Sequence, residues 1–538
     1  MEKILILSDS REDLLDRFKP LIDQIRKSIS NAYLIGVFYF KNYNPQIIDN
    51  GGLFNELYFP TNKKKFYNII KNQNADKILV FMSHTGAMND VQIYLMTKFM
   101  RLKNVVFLRR NLHSLKEYLK TGNDEKNIIS ELMRKEVKKS IIIDIKIYSL
   151  FLLVFLFYCL GKFFFKFRHR EKNKKHKILF IRLDMLGDVI ITYPYIRALR
   201  DKYYNSELTI LTSNKGQAFL AEQQNLEQTP IYDKLIVWEA PWHTKRFKLQ
   251  NIIDLFKMLN ILPKLWKEKY DLVIQPVVVS TGTAFAVLIF GKRIIAIVAE
   301  VYPLARLMKR YISVPVVIPN YKIYHLSEPL KYVIEKAGVD AKAVWNHIEI
   351  SESNKNKIYI RLLKENYIRN RPVFIINIGA GHQLRRWSSQ KFADLCNRIH
   401  KENNVDIIIT GGKDEIPFAN DVEKLSDSPM INLAGKLSLS EVAGLISISE
   451  IIITADTGIM HLAALVNARI VALFGAGLVT FCKPLCDNYV IVKHELGCSG
   501  CGDICFVNGI APCMEAIKVE DVLFAINKLL NSSHIKID

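Results

Sequence analysis

IIITADTGIMHLAALVNARIVALFGAG, residues 451–477, compresses a strand, a turn, a helix, a second strand and a second turn into one passage. The apolar run Ile451–Thr454 has strand length and stops at Asp456-Thr457-Gly458. An alanine-rich helical stretch follows, and Ile470–Phe474 is a further apolar run that ends in Gly475-Ala476-Gly477. Two apolar strands joined by a helix predict a parallel pair, because parallel strands need a crossover connection.

Working outward, Val373–Ile378 and Val405–Thr410 precede that unit and complete one strand–helix series. An earlier series runs through Ile178–Ile181, Leu208–Leu211, Leu235–Trp238, Leu272–Gln275 and Ile294–Val298, with helical stretches such as Ile252–Leu262 between. A less patterned region, about 340–370, separates the two. The reading is α/β: two doubly wound, Rossmann-like domains facing each other, over residues 176–345 and 370–530. Ligands of such sheets bind beyond the carboxyl ends of the strands, so chemistry is expected just after them.

Ahead of both, residues 1–140 read as a small accessory α/β domain with strands at Ile4–Leu7, Leu34–Phe40, Ile78–Met82 and Val105–Leu108. His84 and His113 stand alone there, and no constellation of catalytic type surrounds them.

With 538 residues, 49% hydrophobic and 24% charged, the chain is globular and too long for a single core. Its 75 Lys+Arg against 53 Asp+Glu leave a net charge of +22, which calls for an anionic partner. The charge is not spread evenly. Arg134–Lys177 holds 13 basic and 3 acidic residues around the uncharged run IYSLFLLVFLFYCLG, residues 147–161. Basic clusters beside an apolar run point to an anionic membrane surface rather than to nucleic acid. Fifteen helical residues fall short of a bilayer core, and Phe163–Phe165 extend the run only to a marginal span. Both flanks are basic, so a peripheral and a single-pass anchor over 141–175 stay open. The N-terminal apolar stretch is too short for a secretory signal, which leaves the catalytic part expected in the cytosol.

Three motifs follow strands. In IRLDMLGD, residues 181–188, Asp188 stands at a helix start and a strand's carboxyl edge, where a carboxylate can accept a proton from an acceptor hydroxyl or simply cap the helix. In NIGAGHQLRRW, residues 377–387, Gly379 and Gly381 allow backbone amides to approach an anion, and Arg385 and Arg386 supply positive charge. Asp456, Thr457, Gly458 and His461 open the helix of the quoted unit, where backbone donors and a hydroxyl suit phosphate.

Taken together, 177–200, 376–395, 407–415 and 431–477 resemble glycosyltransferase family nine, the bacterial heptosyltransferases, over about residues 177–530. The resemblance implies a GT-B fold, with the acceptor mainly on the first domain and a nucleotide-sugar donor mainly on the second. It implies Asp188 as catalytic base. Arg385, with Arg386 beside it, falls where family members carry a lysine that neutralises the leaving diphosphate. Asp456, Thr457, Gly458 and His461 become the donor-phosphate motif, Asp414 or Glu415 the ribose contact, and Leu437 the packing surface for the base.

The implied reaction is a single inverting displacement, most simply heptose transfer from ADP-heptose to a lipopolysaccharide core or other lipid-linked glycan at the cytoplasmic face of the inner membrane. A hexose or N-acetylhexosamine donor and a non-catalytic membrane-bound scaffold are the alternatives. The sequence holds no Asp-x-Asp pair of the kind that fixes a divalent metal on a nucleotide sugar, so no cofactor is expected for catalysis. Cys498, Cys501, Cys505 and Cys513 have spacings open to a structural zinc, an iron–sulfur cluster or reduced thiols, with Cys482 and Cys486 upstream.

Overall fold

The computed structural model describes residues 2–8, 32–38, 56–58, 77–82, 105–109, 175–226, 230–240, 260–278, 280–299, 303–318, 325–341, 344, 347–365, 367, 371–494 and 511–531. It divides into two compact units.

In the first unit, β1 (Glu2–Ser8), β2 (Ala32–Phe38), β3 (Glu56–Tyr58), β4 (Lys77–Met82) and β5 (Val105–Arg109) form a parallel sheet in the order β3-β2-β1-β4-β5. The four strands expected there are present. β3 is additional, and three residues are too few to show a period. His84, His113 and the apolar segment 141–175 lie outside the described residues. Among the described residues no helix is long and apolar enough to cross a membrane.

The second unit carries two six-stranded parallel sheets. One contains β6 (Lys177–Arg182), β7 (Glu207–Thr212), β8 (Lys234–Val237), β9 (Leu272–Gln275), β10 (Arg293–Ala299) and β11 (Val314–Ile318), ordered β11-β10-β9-β6-β7-β8. The other contains β12 (Val373–Asn377), β13 (Asp406–Thr410), β14 (Ile431–Asn432), β15 (Ile451–Ala455), β16 (Ile470–Phe474) and β17 (Tyr489–Lys493), ordered β14-β13-β12-β15-β16-β17. Counted from its own first strand, each sheet has the order 3-2-1-4-5-6 of the dinucleotide-binding fold. The order in which strands are added therefore reverses between β6 and β9 in one sheet and between β12 and β15 in the other. Central strands such as Ile178–Ile181 and Ile451–Ile453 are buried along their whole length, as expected where helices cover both faces.

Three strands escape the sequence pattern for identifiable reasons. β11 reads VPVVI, and Pro315 argues against a strand interior; β11 is an edge strand, where a missing N–H costs no ladder bond. β14 has two residues, and β17 is a half-buried edge. The region expected to be unpatterned contains a helix, Glu352–Leu363. Ser351 caps it, its Oγ accepting from Asn354 N at 3.4 Å, and only Ile358 and Leu362 are buried. An apolar stripe of two residues is too thin to read as amphipathic.

Four helices position the chemistry: α1 (Leu186–Lys202) after β6, α2 (Asn214–Leu226) after β7, α3 (Leu439–Ile448) before β15 and α4 (Gly458–Leu465) after β15.

Candidate active site

β6 delivers a charged cluster to the carboxyl edge of the first sheet. Its last residue, Arg182, is 3% exposed, although the strand before it is apolar. A guanidinium cannot lie there without acceptors, and it has several. Nη1 lies 3.3 Å from Asp184 Oδ2 and donates to Pro276 O at 3.4 Å. Nη2 lies 3.4 Å from Asp188 Oδ1, and Nε donates to the Asp188 carbonyl at 3.3 Å.

Asp188 sits in the first turn of α1. Its Oδ2 accepts from the Met185 amide at 3.0 Å, and the helix N-terminus favours its charge. The capping and proton-accepting roles considered for it are thus compatible, since its side chain keeps 23% exposure. Burial pushes the Asp184 carboxyl above its usual range, against the opposing pull of Arg182.

On the second sheet, the loop after β12 places Arg385 and Arg386 side by side, and they turn to different partners. Arg385 Nη1 bonds Asp456 Oδ2 at 3.0 Å, joining the turn after β12 to the turn after β15. Arg386 Nη2 bonds Glu415 Oε1 at 2.9 Å, and its guanidinium carbon lies 4.9 Å from the centre of the Phe418 ring. Glu415 also accepts from Ala380 N at 2.9 Å and Gly412 N at 2.8 Å, so one carboxylate ties the loops after β12 and β13 together.

That clasp explains Gly379. A Cβ there would stand 2.8 Å from Glu415 Oε2. Gly381 and Asp414 are exposed, and Leu437 packs half-buried on the core just after Gly435, whose amide bonds Gly411 O at 2.8 Å. Gly477, from the next glycine loop, approaches Asp456 so closely that a Cβ would meet Oδ2 at 2.3 Å. Beneath these loops Asn377 Nδ2 donates to Thr454 Oγ1 at 2.8 Å, linking the two strands at the reversal point.

The two sheets meet where their first turns face each other. A Cβ on Gly187 would be 2.9 Å from His461 Cδ2 and 3.4 Å from Gly458 Cα. The N-terminus of α1, with Asp188, therefore abuts the N-terminus of α4, which Thr457 caps by accepting from Met460 N at 3.4 Å. Both positive helix ends converge on one place, a ready environment for anionic oxygens. His461 is buried in that contact; burial, with His325 nearby, pushes its imidazole down to about 3. Its Nδ1 makes no hydrogen bond among the described residues.

Two further bridges join the halves. Glu222 on α2 accepts from Ser440 N, at the start of α3, at 2.5 Å, and burial raises its carboxyl pKa. Leu326 N donates to Phe481 O at 3.0 Å, and the neighbouring His325 ring contacts Lys483 O at 3.0 Å.

Arg182, Asp184, Glu222 and Asn377 had no role in the sequence reading. An arginine ending an apolar strand was the available signal for the first two, because a buried charge implies a partner. Glu222 carried no signal, since its partner is 218 residues away. Of the four clustered cysteines, Cys498, Cys501 and Cys505 lie outside the described residues. Cys513 is buried in a short helix, Pro512–Glu515. Among the described residues no group of three or more His, Cys, Asp or Glu is arranged to hold a metal ion.

The chain is similar to several known proteins. The model of glycosyltransferase family 9 (heptosyltransferase) matches residues 259–506. The lipooligosaccharide heptosyltransferase 2 of Haemophilus influenzae is 24% identical over 324 residues, 59% of this chain and 88% of the relative. The lipopolysaccharide heptosyltransferase 3 of Escherichia coli is 22% identical over 313 residues, 56% of this chain and 85% of its own. Among solved structures, a family 9 glycosyl transferase from Veillonella parvula matches with a TM-score of 0.52 and 22% identity, covering 66% of this chain and 97% of that one. The E. coli ADP-heptose LPS heptosyltransferase II matches with a TM-score of 0.50 and 18% identity, covering 67% and 100%. The structural likeness is one of fold.

Proposed function

We propose that this chain, whose residues 259–506 match the model of glycosyltransferase family 9, is a glycosyltransferase that moves heptose from ADP-heptose onto a lipopolysaccharide core or a related lipid-linked glycan. The reaction in this reading is an inverting displacement at the cytoplasmic face of the inner membrane. One observation carries it: the Gly187–Gly458 approach sets Asp188 at the first turn of one helix against Asp456 and Thr457 at the first turn of another.

In this reading Asp188 accepts the proton of the acceptor hydroxyl. The hydroxyl oxygen bonds the anomeric carbon, and the bond from that carbon to the diphosphate breaks. Negative charge gathers on the departing diphosphate, where preorganised donors act most strongly. Arg385, the amides opening α4 and the Thr457 hydroxyl supply those donors. Arg385 already pairs with Asp456, so a diphosphate would share or take over that guanidinium, and its binding would loosen the Arg385–Asp456 link. Catalysis needs no metal, and the segment 141–175 with its basic flanks holds the enzyme at the anionic surface.

Purified protein, supplied in EDTA with ADP-heptose beside UDP- and GDP-hexoses, tests this reading. Turnover confined to ADP-heptose supports the donor and the metal independence together. Preference for a hexose or N-acetylhexosamine donor would keep the mechanism and overturn the substrate. Absence of turnover in EDTA with recovery on adding magnesium would overturn metal independence, and failure to bind any donor would favour a scaffold.

A further inference from the structure

We infer that Arg182 is a positioning residue that fixes the Asp188 carboxylate in its proton-accepting orientation and holds it ionised. This rests on the reading of Asp188 as the base. The geometry is unusual in one respect: the guanidinium engages a backbone oxygen and a side-chain oxygen of the same residue. Nε takes the Asp188 carbonyl at 3.3 Å and Nη2 takes Oδ1 at 3.4 Å. Two contacts from one rigid plane to both ends of Asp188 restrict its side-chain rotation, whereas a lysine offers a single point charge. The remaining nitrogen, Nη1, is occupied by Asp184 Oδ2 and Pro276 O, so the plane itself cannot swing. With the Met185 amide on Oδ2, both carboxylate oxygens are held.

With both carboxyls ionised the cluster carries one negative charge, and burial of Asp184 works against its share of it. Arg182 is positive, Asp184 and Asp188 are acidic, and of these three side chains Asp188 is the most exposed, at 23% against 3% and 12%. The cluster therefore directs its net charge toward the cleft. Other groups face it from neighbouring elements. Lys215 on α2 lies 3.9 Å from the Met185 sulfur, His461 on α4 stands against Gly187, and Asp456 ahead of α4 is paired with Arg385. Burial holds His461 neutral above pH of about 3, so it contributes no titrating charge across the working range.

Asp184 competes with Asp188 for one guanidinium. Removing the arginine and removing the competitor should therefore move the base in opposite directions. The test is the pH dependence of kcat/KM, whose acid limb reports the free enzyme's base. In R182Q the acid limb should rise by about one pH unit or more, since a neighbouring cation depresses a carboxylate by that amount. R182K should return the limb toward wild type while kcat stays low, because the charge is restored and the two-point hold is not. D184N should move the limb downward. Folded R182Q and D184N proteins with the wild-type limb would overturn the inference. Should R182Q fail to fold, R182K decides: a near wild-type limb with lowered kcat supports the inference, and a wild-type kcat overturns it. D188A separates the two layers of the argument. If it retains full transfer, the base reading itself fails; if it is inactive while the limbs of the other variants stay fixed, only the role of Arg182 fails.

Discussion

The two sheets of the second unit share a strand order and differ in what they place at its reversal point. After β6 a single arginine is surrounded by carboxylates; after β12 two arginines each meet one. The first arrangement is net negative and suits taking a proton. The second is balanced until an anion arrives, and because Asp456 is buried a phosphate on Arg385 must share that guanidinium with it or leave a buried carboxylate unpaired. Identical topology thus supplies two opposite electrostatic tasks, and the difference lies in a few loop residues.

The comparison is broken most directly at Asp188. D188A should lower kcat by about 10²–10⁴-fold, the usual worth of a positioned base, with the folded state intact by circular dichroism. An equally active variant would leave the negative edge without a task. On the balanced edge the two arginines should separate. R385A should cost about 10²–10³-fold in kcat, as loss of a charge-stabilising donor does. R386A should mainly lower stability, by about 1–3 kcal/mol, because Glu415 loses its partner in the loop clasp. Parallel kinetics and denaturation of both variants check this division, and equal effects on both readouts would erase it.

Two smaller predictions concern pH. His461 is depressed by burial to about 3 from an ordinary 6.5, so the unfolded chain binds a proton that the folded chain refuses. That contribution to stability is complete above 6.5 and is lost as the pH falls toward 3. H461Q should show a shallower acid decline in urea midpoint, and an identical slope would contradict a buried neutral ring. Glu222 works the other way. Burial raises its carboxyl pKa, so its ionisation in the folded state carries a cost. Stability should fall slightly as the pH rises through and above the ordinary glutamate range. E222Q keeps an acceptor for Ser440 N and should remove that decline, the smallest effect of the set.

The architecture was legible where apolar runs were long and central. β9 and β16 match their expected limits, and β6 and β15 extend theirs by a residue or two, because strands buried on both faces leave an unbroken hydrophobic signature. Edges were only partly legible: β5 and β8 were read, but Pro315 disguised β11, and β14 was too short. At the site, Asp188, Arg385, Asp456 and Gly458 were singled out from their place after strands, and the fold brings Arg385 to Asp456 and Gly458 to Gly187. What one-dimensional reading missed were partnerships. Gly379 read as room for an anion, and in the fold that room is taken by Glu415. Arg386 read as positive charge beside Arg385, and in the fold it also pairs with Glu415. Those distinctions depend on which carboxylate lies opposite, information that spacing along the chain does not contain.

The approach of Gly187 to Gly458 has a mechanical consequence. The two backbones meet there with only His461 and Leu186 packed beside them, so neither can come closer without a clash. Any rocking of one sheet on the other would pivot at that point, and it would have to stretch the Glu222–Ser440 and Leu326–Phe481 bonds that join the halves. Rocking that admits or expels large molecules at the rim would leave the distance between the two first turns almost constant. A methyl at either glycine would shift that pivot outward and misalign both arms together.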